Sequence, residues 1–313
     1  MIRPLRLLCL TWLLVLSTGC GRPPEPPLQV ATCVWPGYEP LFLARQLGAL
    51  DAKTCRLLQM PTTSDCIRAF QSGRVSAAAM TLDEAFTVLQ DGVDLQVVLV
   101  MDVSHGADVL LGGPKVHTLA DLKGRRVGLE TSAVGAYLLS RALDKAGLGP
   151  EDIHVVPLSE GAHVAAYRNG TVDALVTLEP VRTRLLGEGA RILFDSSQIP
   201  NEIFDVLVVR GSVARQRPEA VAQLREAWFR ALAYLRAQPR EAARRMAPRE
   251  GQEPEAFLRT LDGLAFPDAR AEARMRGGEL LPPARRLADL MLKKGLLRRP
   301  VDPARLFPGP GRP

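Results

Sequence analysis

Polar and aromatic side chains follow several strand-like apolar runs of the chain, and their types would suit a small ligand. In open α/β folds, ligands bind at the carboxyl ends of the strands. The acids among them would bind an amine or a heterocycle that donates hydrogen bonds, and the two aromatic rings would stack on it. The predicted ligand-binding residues are Trp35, Tyr38, Asp83, Ser104, Asp108, Thr131, Ser132 and Glu179.

The first half of this set also has a structural interpretation. Trp35 and Tyr38 follow the buried run that begins at residue 28 and could simply cap the core. Asp83 could support the first turn of a helix. Asp102, which shortly precedes Ser104, could bond backbone groups where the chain crosses between lobes. Both interpretations of these residues stay open at this point.

Among the remaining residues, the evidence for a ligand role is weaker for Thr131 and Ser132 than for Glu179. Thr131 and Ser132 precede a helical pattern, where a hydroxyl can cap the helix and free backbone N–H groups can meet an anion. Glu179 stands before Pro180 at the end of a strand-like run, with no obvious structural partner in the sequence. A ligand role is therefore the favoured interpretation of Glu179.

The sequence offers little for catalysis. It has no G-x-S-x-G elbow, no P-loop and no H-E-x-x-H motif. His105 lies between Ser104 and Asp108, but residues so close in sequence rarely reach the geometry of a catalytic triad. Cysteines and histidines do not occur at metal-ligand spacing. We therefore predict no enzyme activity, no metal and no cofactor.

The first residues have the pattern of a bacterial lipoprotein signal. Arg3 and Arg6 precede an apolar run, Leu7 to Leu16, which is too short to span a bilayer. The following Ser17-Thr18-Gly19-Cys20 resembles a lipobox, in which the cysteine is diacylated. Because Ser17 stands where leucine is commoner, cleavage by an ordinary signal peptidase is the alternative. We predict a signal peptide over 1–19 and lipidation at Cys20.

A proline-rich tether over 20–27 follows the signal and would hold the protein off a bacterial membrane.

Removal of the leader takes away two arginines and no acids, so the formal charge falls from +6 to +4. This weak excess indicates a solvated surface and no nucleic-acid partner. The pattern predicts an extracytoplasmic, lipid-anchored monomer. Residues 307–313 form a Pro/Gly tail, which we expect to be flexible.

Three cysteines remain after the leader and the lipidated residue are set aside: Cys33, Cys55 and Cys66. An oxidising compartment would allow one disulfide and one free thiol. Cys33 and Cys66 both fall near predicted strand ends on the side of the cleft, so they are the favoured pair. Three buried free thiols are the alternative.

Hydrophobic strands alternate with helices along most of the chain, which predicts an α/β fold with parallel sheets covered on both faces. A polar segment near Asp102 to Asp108 separates two such series, and a strand at Ile203 to Val209 would return to the first. The predicted division is lobe I over 28–104 plus 205–306 and lobe II over 105–204. The helical pattern of residues 218–236 indicates core packing.

Three segments, in this order, resemble the substrate-binding proteins of ABC importers for nitrate, sulfonate, taurine and thiamine precursors. They are Trp35–Ala44 (WPGYEPLFLA), Asp121–Gly128 (DLKGRRVG) and Val172–Pro180 (VDALVTLEP). The resemblance implies a type II periplasmic-binding-protein fold, with two doubly wound α/β lobes, a two-strand hinge and a ligand held between the lobes. It also implies delivery of that ligand to permease and ATPase subunits.

The resemblance leaves the ligand open. Binders of anions would be expected to have basic or hydroxyl-rich clefts, whereas the positions here include several acids. A taurine-like, sulfonate-like or aminopyrimidine-like ligand is therefore expected, with an amine or heterocycle favoured. One alternative function is a binding protein that reports to a sensor or partner. A pyrimidine-synthesis enzyme on the same fold is less favoured, because its cysteine-rich, histidine-bearing pattern is missing.

Overall fold

The structure is a computed structural model that describes residues 25–131 and 133–307, which form two β-sheets surrounded by helices. The strands of the described residues are β1 (Leu28–Thr32), β2 (Cys55–Gln59), β3 (Ala77–Thr81), β4 (Leu95–Ser104), β5 (Val109–Gly112), β6 (Arg126–Leu129), β7 (His154–Pro157), β8 (Ala174–Thr177), β9 (Arg191–Asp195), β10 (Phe204–Arg210) and β11 (Leu264–Ala265). The helices are α1 (Glu39–Gln46), α2 (Thr63–Gln71), α3 (Leu82–Gln90), α4 (Ala133–Ala146), α5 (His163–Arg168), α6 (Val181–Gly187), α7 (Gly211–Gln216), α8 (Pro218–Ala237), α9 (Pro239–Met246), α10 (Pro254–Leu261), α11 (Ala269–Arg274) and α12 (Leu281–Lys293).

The first sheet has six strands in the order β11-β4-β10-β3-β1-β2. Its central strands are apolar and fully covered: every residue of β3 is buried, as are all but the last residue of β10. β1 pairs in parallel with β2 and β3, as expected for strands joined by helices. Helices α1, α2 and α3 follow β1, β2 and β3, so the start of each helix lies near the carboxyl end of a strand.

The second sheet has five strands in the order β7-β6-β8-β5-β9. β6 pairs in parallel with β7 and β8, while β5 runs antiparallel to β8 and β9. The chain enters this sheet between β4 and β5 and leaves it between β9 and β10. Two crossing segments therefore connect the sheets.

The expectation of parallel sheets is correct for the strands joined by helices and wrong for the crossing strands. β10 returns from the second sheet and inserts between β3 and β4, antiparallel to both. A strand that arrives from another sheet has no helix to reverse its direction, so it can pair antiparallel with its neighbours. The antiparallel insertion places residues of β10 directly opposite residues of two other strands.

The C-terminal third of the described chain is helical and packs on the first sheet. The predicted core helix is α8, in which Trp228 and Leu232 are completely buried. Its neighbours α1 and α9 complete this layer. Within residues 25–131 and 133–307, no helix has the length and apolar character needed to cross a membrane.

Candidate ligand-binding cleft

A small cavity of about 20 Å³ lies where residues from both sheets meet. The first sheet contributes the segment after β1, the starts of α2 and α3, and β10, while the second contributes the segments around β5, α4 and β8. This cavity is therefore a candidate binding site. It is lined by Cys33, Trp35, Tyr38, Thr63, Thr81, Glu84, Asp108, Val134, Leu178 and Asp205.

A row of three polar residues crosses the first sheet at the cavity. Asp205 on β10 pairs in register with Thr81 on β3 and with Asp102 on β4. Because residues directly opposite one another project to the same face of a sheet, the two carboxyl groups are neighbours. Both are buried, and neither oxygen of Asp102 has a hydrogen-bond partner among the described residues.

Burial of these two acids changes their protonation. Desolvation raises the pKa of Asp102 from its ordinary value to about 7, and the nearby charge of Asp108 adds to this effect. The pKa of Asp205 is raised well above its ordinary value, mainly by desolvation and then by the charge of Asp102. The Tyr38 hydroxyl donates a hydrogen bond of 2.5 Å to Asp205 Oδ1, which favours the ionised form of Asp205.

Two aromatic rings, those of Trp35 and Tyr38, stand beside this pair. Trp35 and Tyr38 lie edge to face, with ring centroids 6.5 Å apart. Gly37 lets them approach the acids: a Cβ atom at this position would lie 2.1 Å from Asp102 Oδ2 and 2.4 Å from Trp35 Nε1. The Trp35 indole N–H is buried without a hydrogen-bond partner among the described residues. Both rings therefore line the cavity as well as packing in the core.

Two further acids begin α3. Glu84 accepts a hydrogen bond of 3.0 Å from the backbone N–H of Thr81, so one of its oxygens caps the helix, while its other oxygen has no partner among the described residues. Both carboxyl oxygens of Asp83 also have no hydrogen-bond partner among the described residues. Desolvation raises the pKa of Glu84 to about 8 and that of Asp83 to about 6. Asp83 does not line the cavity itself but adjoins Glu84, which does.

Asp108 and Ser104 occupy the first crossing segment. Asp108 lines the cavity, and desolvation raises its pKa to about 7. Ser104 does not line it: its hydroxyl is 2.8 Å from the hydroxyl of Ser196, and Ser196 Oγ also accepts a hydrogen bond of 2.6 Å from the N–H of Gly106. Ser104 thus ties one crossing segment to the other.

A second group of contacts joins the sheets at the start of α2. The Ser64 hydroxyl donates a hydrogen bond of 2.7 Å to Glu130 Oε1, and the Thr63 hydroxyl lies 3.5 Å from Glu160 Oε1. Desolvation raises the pKa of Glu160 to about 9, and hydrogen bonding and charge from Glu130 add to this. Two carboxyl groups of the predicted lobe II, those of Glu130 and Glu160, therefore meet the first turn of α2.

The expectation that Glu179 has no structural partner is wrong. Its side chain is completely buried and accepts hydrogen bonds from Arg182 Nη1 (2.9 Å), Thr183 N (3.0 Å) and Thr183 Oγ1 (2.9 Å). It stands just before α6, and its oxygens hold the first turn of that helix. It does not line the cavity, and a ligand role for Glu179 stays a prediction.

The structure does not bring Thr131 to the cavity. Thr131 is exposed and lines a separate, mostly apolar groove beside α4 and β7. Ser132 lies outside the described residues. Cys20, the signal peptide and most of the predicted tail also lie outside them, and of the tether only residues 25–27 are described.

The predicted Cys33–Cys66 disulfide is not formed in the structure, where Cys33, Cys55 and Cys66 are free, buried thiols. Cys66 lies in the first turns of α2 and not at a strand end. The Cys33 thiol is instead 3.2 Å from the hydroxyl of Thr63, and the neighbouring Cys66 thiol and burial raise its pKa well above the ordinary value. The alternative of three free thiols describes the structure.

Sequence reasoning missed several residues of the cavity, of which Asp205 and Glu84 matter most. Asp205 had a signal: it is an acid inside the otherwise apolar run Ile203 to Val209, and such a residue needs a reason to be buried. Glu84 stands beside Asp83 and had the same kind of signal. For Thr63 and Leu178 the sequence carries no signal that distinguishes them from ordinary helix-start and core residues.

Residues 21–249 match the model of the NMT1-like family. The taurine-binding periplasmic protein of Escherichia coli (strain K12) is 27% identical over 158 residues, which are 50% of this chain and 49% of that protein. The chain thus spans about half the length of this curated relative.

Solved structures share the whole architecture at low identity. The alkanesulfonate-binding protein of Xanthomonas axonopodis pv. citri, bound to MOPS, has a TM-score of 0.76 at 21% identity, covering 90% of this chain and 96% of that one. The desulfurization enzyme DSZB has a TM-score of 0.66 at 20% identity, covering 91% and 97%. At these identities the likeness concerns the fold alone.

Proposed function

Because the chain belongs to the NMT1-like family and has the type II periplasmic-binding-protein fold, we propose that it is the solute-binding protein of an ABC importer. The observation that carries this proposal is the cavity, whose wall comes from both sheets and holds buried polar groups without partners. Such a wall matches a ligand that completes those hydrogen bonds.

The mechanism that follows is closure of two lobes on a small molecule. We take lobe I as 28–104 plus 205–306 and lobe II as 105–204, joined by the two crossing segments. A ligand that contacts both lobes favours the closed form by its differential affinity for that form. The closed protein would then dock on the permease and ATPase subunits and release the solute.

Two kinds of evidence bear on the class of solute: the names of the relatives and the residues of the cavity. The names of the relatives favour a sulfonate or taurine-like molecule. The carboxyl groups of the cavity favour a solute with hydrogen-bond donors, such as an amine or an aminopyrimidine-like heterocycle.

A thermal-shift screen of the purified protein with sulfonates, taurine, aminopyrimidines and amines tests the function, because a ligand that binds only the folded state raises the melting midpoint. Absence of any shift across the panel would contradict it.

We propose an extracytoplasmic location with a lipid on Cys20, followed by the tether 20–27 and ended by the tail 307–313. Labelling of cells with a fatty-acid analogue should mark the protein, and Cys20→Ala should lose the label. An unlabelled wild-type protein of shortened mass would instead indicate cleavage by an ordinary signal peptidase.

A catalytic role is not proposed, although the desulfurization enzyme DSZB shares the fold. Cys33 is a thiol in the cavity wall, but its raised pKa keeps it protonated, and the thiolate is the nucleophilic form. A binding protein that reports to a sensor has the same cavity. Deletion of the gene of this protein, with solute uptake as the readout, separates the two roles, because only an importer component is needed for uptake.

A further inference from the structure

We propose that the solute of this cleft is an organic cation with a planar, protonated nitrogen group, and that the site discriminates against sulfonates. The inference rests on the proposed function and names the charge class of its ligand. Amidinium, guanidinium and aminopyridinium groups belong to this class.

The charge of the wall is the first argument. Three acids line the cavity, and two more, Asp83 and Asp102, adjoin it. Among its described lining residues there is no lysine, arginine or histidine. Each of these five carboxyl groups is at least nine-tenths buried, so water screens them little. In their ionised form they would leave a bound anion without a counter-charge, whereas a bound cation would stabilise that ionised form.

Unpartnered polar atoms are the second argument. Oxygens without a hydrogen-bond partner among the described residues occur on Asp83, Asp102, Asp205 and Glu84. In the ionised form these oxygens accept hydrogen bonds and donate none, so a ligand with hydrogen-bond donors would satisfy them in that form. A planar nitrogen cation offers several N–H groups in one plane, which matches two carboxylate oxygens at once.

Two buried groups outside the acids also point to a ligand. The Thr81 hydroxyl and the Trp35 indole N–H both belong to the cavity wall, are more than nine-tenths buried and have no partner among the described residues. Unpaired buried polar groups are costly, and a wall with several is more stable when a polar ligand meets them.

The two aromatic rings of the cavity wall, those of Trp35 and Tyr38, are the third argument. Trp35 and Tyr38 meet at an interplanar angle of 63° and both line the cavity. A cation next to an aromatic face gains electrostatic attraction, and a flat cation also gains stacking area. The same faces would repel the negative charge of a sulfonate.

Matched probes of one shape test the proposal by isothermal titration calorimetry on the purified protein. Benzamidinium, benzamide and benzenesulfonate share a ring and differ in charge, and guanidinium, agmatine, 4-aminopyridinium, taurine and alkanesulfonates extend the panel. We expect binding of at least one planar cation, at least about tenfold weaker binding of its neutral partner, and none of the sulfonates.

The outcomes separate the inference from the function on which it rests. Binding of sulfonates or taurine without binding of any cation would overturn the inference and leave the solute-binding function standing. Equal binding of benzamide and benzamidinium would also overturn it, because charge would then play no part. A panel without any binding would contradict both.

Substitution of the acids gives an independent test. Asp205→Asn keeps an oxygen that can accept from Tyr38 but removes a negative charge, and we expect cation affinity to fall by about tenfold or more. Asp289→Asn is the matched control, because Asp289 is an exposed acid of α12 away from the cavity. Unchanged affinity in Asp205→Asn, with an intact melting transition, would overturn the proposal.

Discussion

The chemistry of this protein is set by carboxyl groups that folding removes from water. An ionised carboxylate in such surroundings is costly, and the pKa values of Asp102, Asp108 and Glu84 rise to about 7, 7 and 8. These groups therefore change protonation near neutral pH. They lower the stability of the fold, and in our proposal they are the groups that bind the solute.

Asp102→Asn should stabilise the protein above neutral pH. The folded-state pKa of Asp102, about 7, exceeds its ordinary value, so the wild type loses stability as pH rises from about 4 to about 7. We expect the variant to match the wild type near pH 4 and to exceed it by about 4 kcal/mol in the free energy of unfolding at pH 8, which is the energy of a pKa rise from 3.8 to about 7.

Denaturant melts at both pH values measure this difference. The exposed Asp289→Asn should behave like the wild type at each. A variant that is destabilised at pH 8 would mean that Asp102 is ionised and satisfied in the folded protein.

Binding of a cation such as benzamidinium should strengthen as pH rises from 5 to 8. A cation stabilises the ionised acids, so Asp83, Asp102, Asp108, Asp205 and Glu84 must release protons when it binds at lower pH. Titrations in buffers of different ionisation enthalpy report this release directly. Affinity that falls with rising pH would contradict a cationic ligand.

Only part of this site could be predicted from the sequence. Trp35, Tyr38 and Asp108 were found because each follows or precedes a strand-like run closely. Asp205 was missed because its importance depends on the register of β10 against two strands far away in the chain. The structural role of Glu179 depends on side-chain contacts with the start of α6, which the local pattern does not reveal.

At the level of single elements, the turn after β1 decides how closely the rings approach the acids. Gly37→Ala would place its Cβ 2.1 Å from Asp102 Oδ2. We expect a loss of about 2 kcal/mol in the free energy of unfolding and weaker ligand binding, because the carboxyl group and the indole must move.

Gly161→Ala is a fitting control for this substitution, because a Cβ there meets nothing within 4 Å and its φ is not left-handed. Thermal melts of both variants make the comparison. Equal melting midpoints would show that the turn has room that the structure does not indicate.

The start of α6 depends on one buried carboxylate. Glu179→Ala removes three hydrogen bonds and leaves Arg182 without its partner. We expect a loss of about 2 kcal/mol in stability, measured by denaturant unfolding. Thr183→Val, which removes only the hydroxyl contact, should cost less. A ligand role would appear as lost affinity in Glu179→Ala beyond that in Thr183→Val.

The element order could be predicted well, because hydrophobic periodicity is a local property. The helical pattern of residues 218–236, for example, is α8 (Pro218–Ala237) in the structure, and several helices end at a glycine with positive φ, such as Gly73 and Gly92. Strand direction could not be predicted for β5 and β10, since it depends on how the chain crosses between sheets.

At the level of the whole molecule, the contact between α2 and the proposed lobe II should favour the closed form. Ser64→Ala removes the 2.7 Å hydrogen bond to Glu130. We expect solute affinity to fall by about fivefold, which corresponds to about 1 kcal/mol. Calorimetry with the solute or cation that binds the wild type gives the value. Ser72→Ala, whose hydroxyl bonds within its own helix, should leave affinity unchanged.

The hydrogen bond between Ser104 and Ser196 gives the proposed motion a pivot. Because it ties the two crossing segments at one point, we expect the lobes to turn about an axis near these two serines. Groups close to such an axis move little. Asp108, whose N–H is 3.4 Å from Ser104 Oγ, would keep its place in an open form. A solute that enters the open form would therefore already meet the carboxyl group of Asp108. Selection of the solute by its charge would then begin before the lobes close.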